Sequence, residues 1–94
     1  MNSKQLECAI EAILFGAGES VSAGDLAEAL DTSADDIHRA VNVLADKYNI
    51  ERRGLRIIRL EDSYQMCSRE DYFDYIRRVT EPRRKQALSP SALE

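Results

Sequence analysis

The stretch Asp31–Tyr48, DTSADDIHRAVNVLADKY, decides how the chain is read. Thr32 with Asp35 and Ser33 with Asp36 are overlapping capping boxes, either of which satisfies the free amides of a first helical turn. Ile37, Ala40, Val41, Leu44 and Tyr48 then follow at offsets of three, four, seven and eleven, the spacing of one buried helical face. With ~100° of rotation per residue, the opposite face presents Asp35, Arg39, Asn42, Val43 and Asp46, with Asp36 at the flank.

Upstream, Leu6, Ala9, Ile10, Ile13, Leu14 and Ala17 form an apolar stripe that predicts a first helix over residues 4–17, ended by Gly16 and Gly18. Ser22, with Asp25 as its capping-box partner, predicts a short second helix ending near Leu30, with Val21, Leu26, Ala29 and Leu30 inward. Downstream, Gly54 breaks the helical pattern. The run LRIIRL, the polar turn EDS and the run YQMCS predict a β-hairpin over residues 55–68. Ser68 with Asp71 is a further capping box, and REDYFDYIRRV is expected to form a fourth helix with Tyr72, Phe73, Ile76 and Val79 towards the core, stopped by Pro82.

Helix, short helix, longer helix, two-stranded hairpin, helix is the layout of a winged helix-turn-helix, mainly α with a β-hairpin as the wing. Residues 1–80 are expected to form this domain. Beyond it, RRKQA has the composition of a linker, and LSPSALE has Ser89 as a cap and Pro90 at a first helical position. Residues 81–94 therefore read as a linker and the opening of a second winged-helix domain.

The net charge of −4 argues against a general nucleic-acid binder. The distribution is uneven: residues 1–50 carry three basic groups against nine acids, and residues 51–94 carry ten against eight. Phosphate contact is therefore expected only from the second half, where Arg52, Arg53, Arg56 and Arg59 on the wing offer a weak track for a DNA backbone. Solvated arginines on an edge hairpin equally protect against strand-to-strand association. On the third helix, acids at the start suit capping and the helix dipole but repel phosphates.

Catalytic chemistry has little to build on. The single histidine, His38, is read as a solvated side chain beside Asp35 and Asp36. Cys8 and Cys67 are read as packing residues, far apart and without a CxxC spacing, in a reducing compartment. GAG at 16–18 follows a helix rather than a strand, unlike a phosphate cradle. No cofactor, metal site or disulfide is expected. No run approaches the ~18 apolar residues of a membrane span, and the first residues carry acids where a signal peptide needs an apolar stretch, so the start is read as mature sequence.

The first helix has a second apolar strip. Cys8, Ala12 and Phe15, spaced four and three apart, lie opposite the core stripe, with Lys4, Glu7 and Glu11 confined to one side. A helix apolar on two faces is either central in a bundle or shared with another chain, so these three residues are the candidate contact of a homodimer.

EAILFGAGESVSAGDLAEAL at 11–30, IERRGLRIIRLEDSYQMCSREDYFDYIRRV at 50–79 and LSPSALE at 88–94, in this order and spacing, resemble the bacterial segregation and condensation protein B family. The resemblance covers nearly the whole chain and is least distinctive between Asp31 and Lys47. It implies two tandem winged-helix domains, of which this chain holds the first, and a homodimer formed largely by first domains. It also implies a non-catalytic adaptor that grips the kleisin subunit and, through it, the SMC ATPase, in chromosome condensation and segregation. Such a protein would be cytoplasmic and associated with the nucleoid. The competing reading is a winged-helix transcription regulator that reads an operator with the third helix.

Overall fold

The computed structural model describes residues 1–87, and the side chains of residues 1–83 among them. The elements run α1 (Ser3–Ala17), β1 (Val21–Ser22), α2 (Ala23–Ala29), α3 (Ala34–Ile50), β2 (Leu55–Leu60), β3 (Ser63–Ser68), a 3-10 turn (Glu70–Tyr72) and α4 (Phe73–Ala87). This is the winged helix-turn-helix order, mainly helical with an antiparallel wing. The expected LSPSALE helix start at 88–94 lies outside the described residues.

The first three helices begin where their caps dictate. Asn2 opens α1 with a reciprocal box: its Oδ1 accepts from the Gln5 amide at 2.8 Å, and Gln5 Oε1 accepts from the Asn2 amide at 2.9 Å. Gly18, at φ 66, ends the helix in the left-handed conformation that glycine adopts without steric cost. Ser22 caps α2 through the Asp25 amide at 3.0 Å. Ser33 caps α3 through the Asp36 amide at 3.1 Å. Of the two overlapping boxes only the Ser33 cap forms, because Thr32 Oγ1 donates instead to the Asp36 carboxylate at 2.9 Å.

The core joins three helices and one face of a sheet. Ile10 and Leu14 of α1, Ala23 and Leu26 of α2, and Ile37, Ala40, Val41, Leu44 and Tyr48 of α3 pack together with Tyr64 of β3. Ile57 and Met66, opposite each other in the β2–β3 ladder, close it from the sheet side. The inward face expected for α3 is buried in full. Ala29 is exposed rather than inward, because it lies ~100° around α2 from the Ala23, Leu26, Leu30 line.

The sheet has three strands, in the order β1-β3-β2, rather than the two expected. Val21 and Ser22 pair with Tyr64 and Ser63, and the Ala23 amide donates to the Asp62 carbonyl at 2.8 Å. A two-residue strand has too little pattern to announce itself, so only the fold reveals that the start of α2 is tied to the wing.

The last helix departs most from expectation. Ser68 does not cap it: Arg69 occupies the cap position without a side-chain bond, and a 3-10 turn leads in. Pro82 lies inside α4 rather than at its end. Proline removes one helical hydrogen bond, and on an exposed helix water can take up the freed carbonyl. Residues 81–87, read as linker, are therefore helical. The apolar side chains of α4 do not reach the core. Tyr72, Phe73, Ile76 and Val79 are 42%, 46%, 39% and 54% exposed. The molecule measures 52 × 30 × 23 Å, elongated for so short a chain.

Candidate interaction surface

Turning Ile10 and Leu14 into the core fixes every other side chain of α1 by rotation. Glu7 and Glu11, expected along one charged side of the helix, face α3. Glu7 is buried at 9% exposure and accepts from Lys47 Nζ at 2.7 Å. Glu11 accepts a hydrogen bond from the Tyr48 hydroxyl. Both contacts require side chains thirty-seven or forty residues apart in sequence, which periodicity cannot pair. The hydrogen bond and charge of Glu7 raise the Lys47 pKa. Burial, reinforced by the hydrogen bond to Glu11, pushes the Tyr48 phenol up to about 12.

The remaining face of α1 is bare. Cys8 and Ala12 are exposed and Phe15 is 74% exposed, so no described part of the same chain covers the strip. A phenylalanine held open on a rigid, well-capped helix loses the ~1.5–3 kcal/mol that burial would return. Beside Cys8 lies a groove of ≈ 210 Å³ lined by charged and polar groups of α1 and α3, among them Lys4, Glu7, Lys47 and Tyr48.

The wing arginines are placed but not brought together. Arg56 and Arg59 are three apart on β2, so they leave opposite faces of the sheet. Arg56 pairs with Glu70 at 3.3 Å. Arg59 pairs with Asp62 at 3.6 Å and stacks over Tyr64. Arg53 pairs with Glu51 at 2.6 Å and stacks over Tyr48. Arg52 takes a positive φ of 51 at the turn after α3. Three of the four thus have acids of their own chain as partners. The outward face of α3 is exposed as expected, and its single basic residue, Arg39, pairs with Asp36 at 3.3 Å.

Two further residues hold the frame and escaped sequence reasoning. Arg69 donates to the Tyr48 carbonyl at 3.0 Å, to the Arg53 carbonyl and to Asn49 Oδ1 at 2.8 Å, while its amide donates to the Gly54 carbonyl. A guanidinium fork at the negative end of α3 thereby locks the end of the wing to that helix. His38, read as solvated, is half-buried: its Nδ1 meets the Tyr64 hydroxyl and its ring packs edge-on at 5.6 Å between centroids. The wing folds over this position, which is why a flanking residue of α3 finds a partner. Among the described residues no helix is long and apolar enough to cross a membrane.

The family model for the segregation and condensation complex subunit ScpB matches residues 8–94. The chain belongs to the ScpB family. Segregation and condensation protein B of Clostridioides difficile is 35% identical over the whole chain, and that of Lachnoclostridium phytofermentans 37%. The chain spans 54% and 50% of these two ScpB relatives, about half their length. ScpB from Mycobacterium tuberculosis superposes with a TM-score of 0.85 at 19% identity, over 99% of this chain and 58% of that one. A solved dimer of an ScpB N-terminal domain complexed with ScpA peptide superposes with a TM-score of 0.75 at 22% identity, covering 81% of this chain and 95% of that one. At these identities the two structures establish the shared fold, and the first of them extends well beyond the ScpB segment described here.

Proposed function

We propose that this chain is the first winged-helix unit, residues 1–80, of a non-catalytic subunit of the bacterial SMC–kleisin complex, acting in chromosome condensation and segregation. It pairs with a second copy through Cys8, Ala12 and Phe15 and binds the kleisin subunit, which links it to the SMC ATPase; residues 81–94 lead towards a second winged-helix domain. The observation that carries this reading is the bare strip of α1, with Phe15 at 74% exposure, in a family where an N-terminal domain has been solved as a dimer with ScpA peptide. Large apolar side chains fixed on a rigid surface are the usual mark of a protein contact. The DNA-regulator reading has less support, since the wing arginines are engaged by acids and tyrosines and α3 presents mostly acids.

Sedimentation of wild type and Phe15→Asp tests the pairing: wild type is expected to dimerise, and the variant to weaken association by about 30-fold or more, the loss of one hot-spot residue. Equal monomers in both would refute it. Kleisin binding is read by pull-down of kleisin peptides with this chain and with the longer protein, the longer form retaining more. Duplex DNA should show no salt-dependent nanomolar binding; such a complex would restore the regulator.

A further inference from the structure

Strand β3 lies in the middle of the sheet, so β1 and β2 each present a free edge. The two edges differ. β1 is two residues long, whereas β2 runs six residues and pairs with β3 one to one, without a bulge or a proline. Leu60 and Ser63 close a two-residue turn, so the positions of β2 bonded to β3 are Leu60, Ile58 and Arg56. The bond from the Arg69 amide to the Gly54 carbonyl continues that alternation. Leu55, Ile57 and Arg59 therefore turn their amides and carbonyls to the open side, where no described backbone group meets them.

An edge of this kind is normally blunted by shortness, proline, a bulge or a free charge. The first three are missing, and the charges are engaged elsewhere: Arg56 with Glu70 at 3.3 Å, and Arg59 with Asp62 at 3.6 Å and the Tyr64 ring. On the face turned away from the core, Ile58 is half-buried and Leu60 is 48% exposed.

We propose that this edge pairs with the same edge of a second copy, antiparallel about Ile58, joining two wings into one six-stranded sheet. The surface is separate from the α1 strip and does not depend on pairing through it. Charge along the wing selects the occupant and its direction. The base of the wing carries Arg52, Arg53 and Arg56 against Glu51 and Glu70, and the tip carries Glu61 and Asp62 against Arg59. Antiparallel pairing sets the acidic tip of each copy beside the basic base of the other.

Side chains select the register. Centring the pair on Arg56 or on Arg59 sets like charges directly opposite, which is unfavourable. Centring on Ile57 sets Leu60 against Gly54, which has nothing to pack on it. Centring on Ile58 sets Arg56 opposite the partner's Leu60 and gathers Ile58 and Leu60 of both copies on one face. Ile57 and the partner's Arg59 then exchange the amides and carbonyls that each copy leaves open. A contact of this kind is smaller than the ~1,200 Å² of a standard interface, so the association is weak, with a Kd of about 0.1–1 mM. Two separate two-fold contacts on one chain link pairs into open rows.

The test uses the Phe15→Asp chain, so that pairing through α1 does not contribute. Amide hydrogen exchange is read residue by residue as concentration rises to about 1 mM. Ile57 and Arg59 are expected to slow several-fold, while Ile58 and Leu60, already bonded to β3, stay unchanged. Exchange that does not respond to concentration would overturn the pairing. Slowing that appears only when kleisin peptide is added would assign the edge to another protein and overturn it equally. Register is read by mild oxidation after Cys8→Ser and Cys67→Ser. Ile58→Cys should cross-link to itself, since opposed residues at such a position lie about 4.5 Å apart between Cα atoms, within disulfide reach. Arg56→Cys should not cross-link alone but should do so when mixed with Leu60→Cys. A covalent dimer from Arg56→Cys alone, or none from Ile58→Cys, would rule out the alignment. Arg59→Pro removes an outward amide and no bond to β3, so it should keep a cooperative urea transition and lose the concentration dependence. Association that survives it would lie on another surface.

Discussion

Helix α3 sets Ile37, Ala40, Val41, Leu44 and Tyr48 at helical spacing and buries all five, whereas α4 sets Phe73, Ile76 and Val79 at helical spacing and leaves each between 39% and 54% exposed. The two helices have similar lengths, seventeen and fifteen residues. What separates them is position. α3 is boxed by α1, α2 and the wing, while α4 leaves the end of the wing with no partner layer beside it among the described residues. An apolar stripe therefore reports that something must cover it, not which surface does.

The contrast can be broken first at the stripes themselves. Ile37→Ala, at a site with 0% exposure, is expected to cost about 2–5 kcal/mol in urea denaturation. Ile76→Ala, measured on dissociated protein, should stay within about 0.5 kcal/mol of wild type. Comparable losses would mean that α4 packs on its own body. Next comes the hold on the far end of α3. Arg69→Ala removes a charged fork from the Tyr48 and Arg53 carbonyls and should cost about 2 kcal/mol. Arg69→Lys should recover only part of it, since an ammonium cannot reproduce the fork.

The helix starts offer a smaller effect. Ser33→Ala should cost about 1 kcal/mol by removing the 3.1 Å cap of α3, whereas Ser68→Ala should stay within about 0.5 kcal/mol, since α4 is preceded by Arg69 and a 3-10 turn instead. The mildest effect is alkaline. Burial and Glu11 raise the Tyr48 phenol to about 12, against an ordinary value of about 10, so the folded state favours the neutral form. Its contribution is complete below pH of about 10 and is lost as pH rises through about 12. Lys47, also raised by Glu7, acts in the same sense because its charged form is the one favoured by folding. Denaturation curves across this range should show stability falling, and Tyr48→Phe should fall less.

Much of the candidate surface was legible in the residues. The spacing of Cys8, Ala12 and Phe15 against Ile10 and Leu14 is enough to place them outward, because one helix has only one orientation that buries its main stripe. The direction of Glu7 and Glu11 was not legible, since they answer to Lys47 and Tyr48, side chains forty and thirty-seven residues away in sequence. The α4 strip was read as a stripe but assigned to the wrong cover, for the reason already visible in its contrast with α3.

Local chemistry settled the elements by itself: caps at Ser22 and Ser33, the glycine stop at Gly18, the apolar periods of α1 and α3, and the two wing runs either side of the EDS turn. These depend on backbone amides and side chains within a few residues of one another, so the order of residues contains them. Tertiary structure alone decided that Val21 and Ser22 add a third strand, that Arg69 clasps α3, that His38 meets Tyr64, and that no described residue covers α4. Each of these depends on which surfaces meet after the chain has folded back on itself, and that is fixed by the packing of the whole rather than by any short segment.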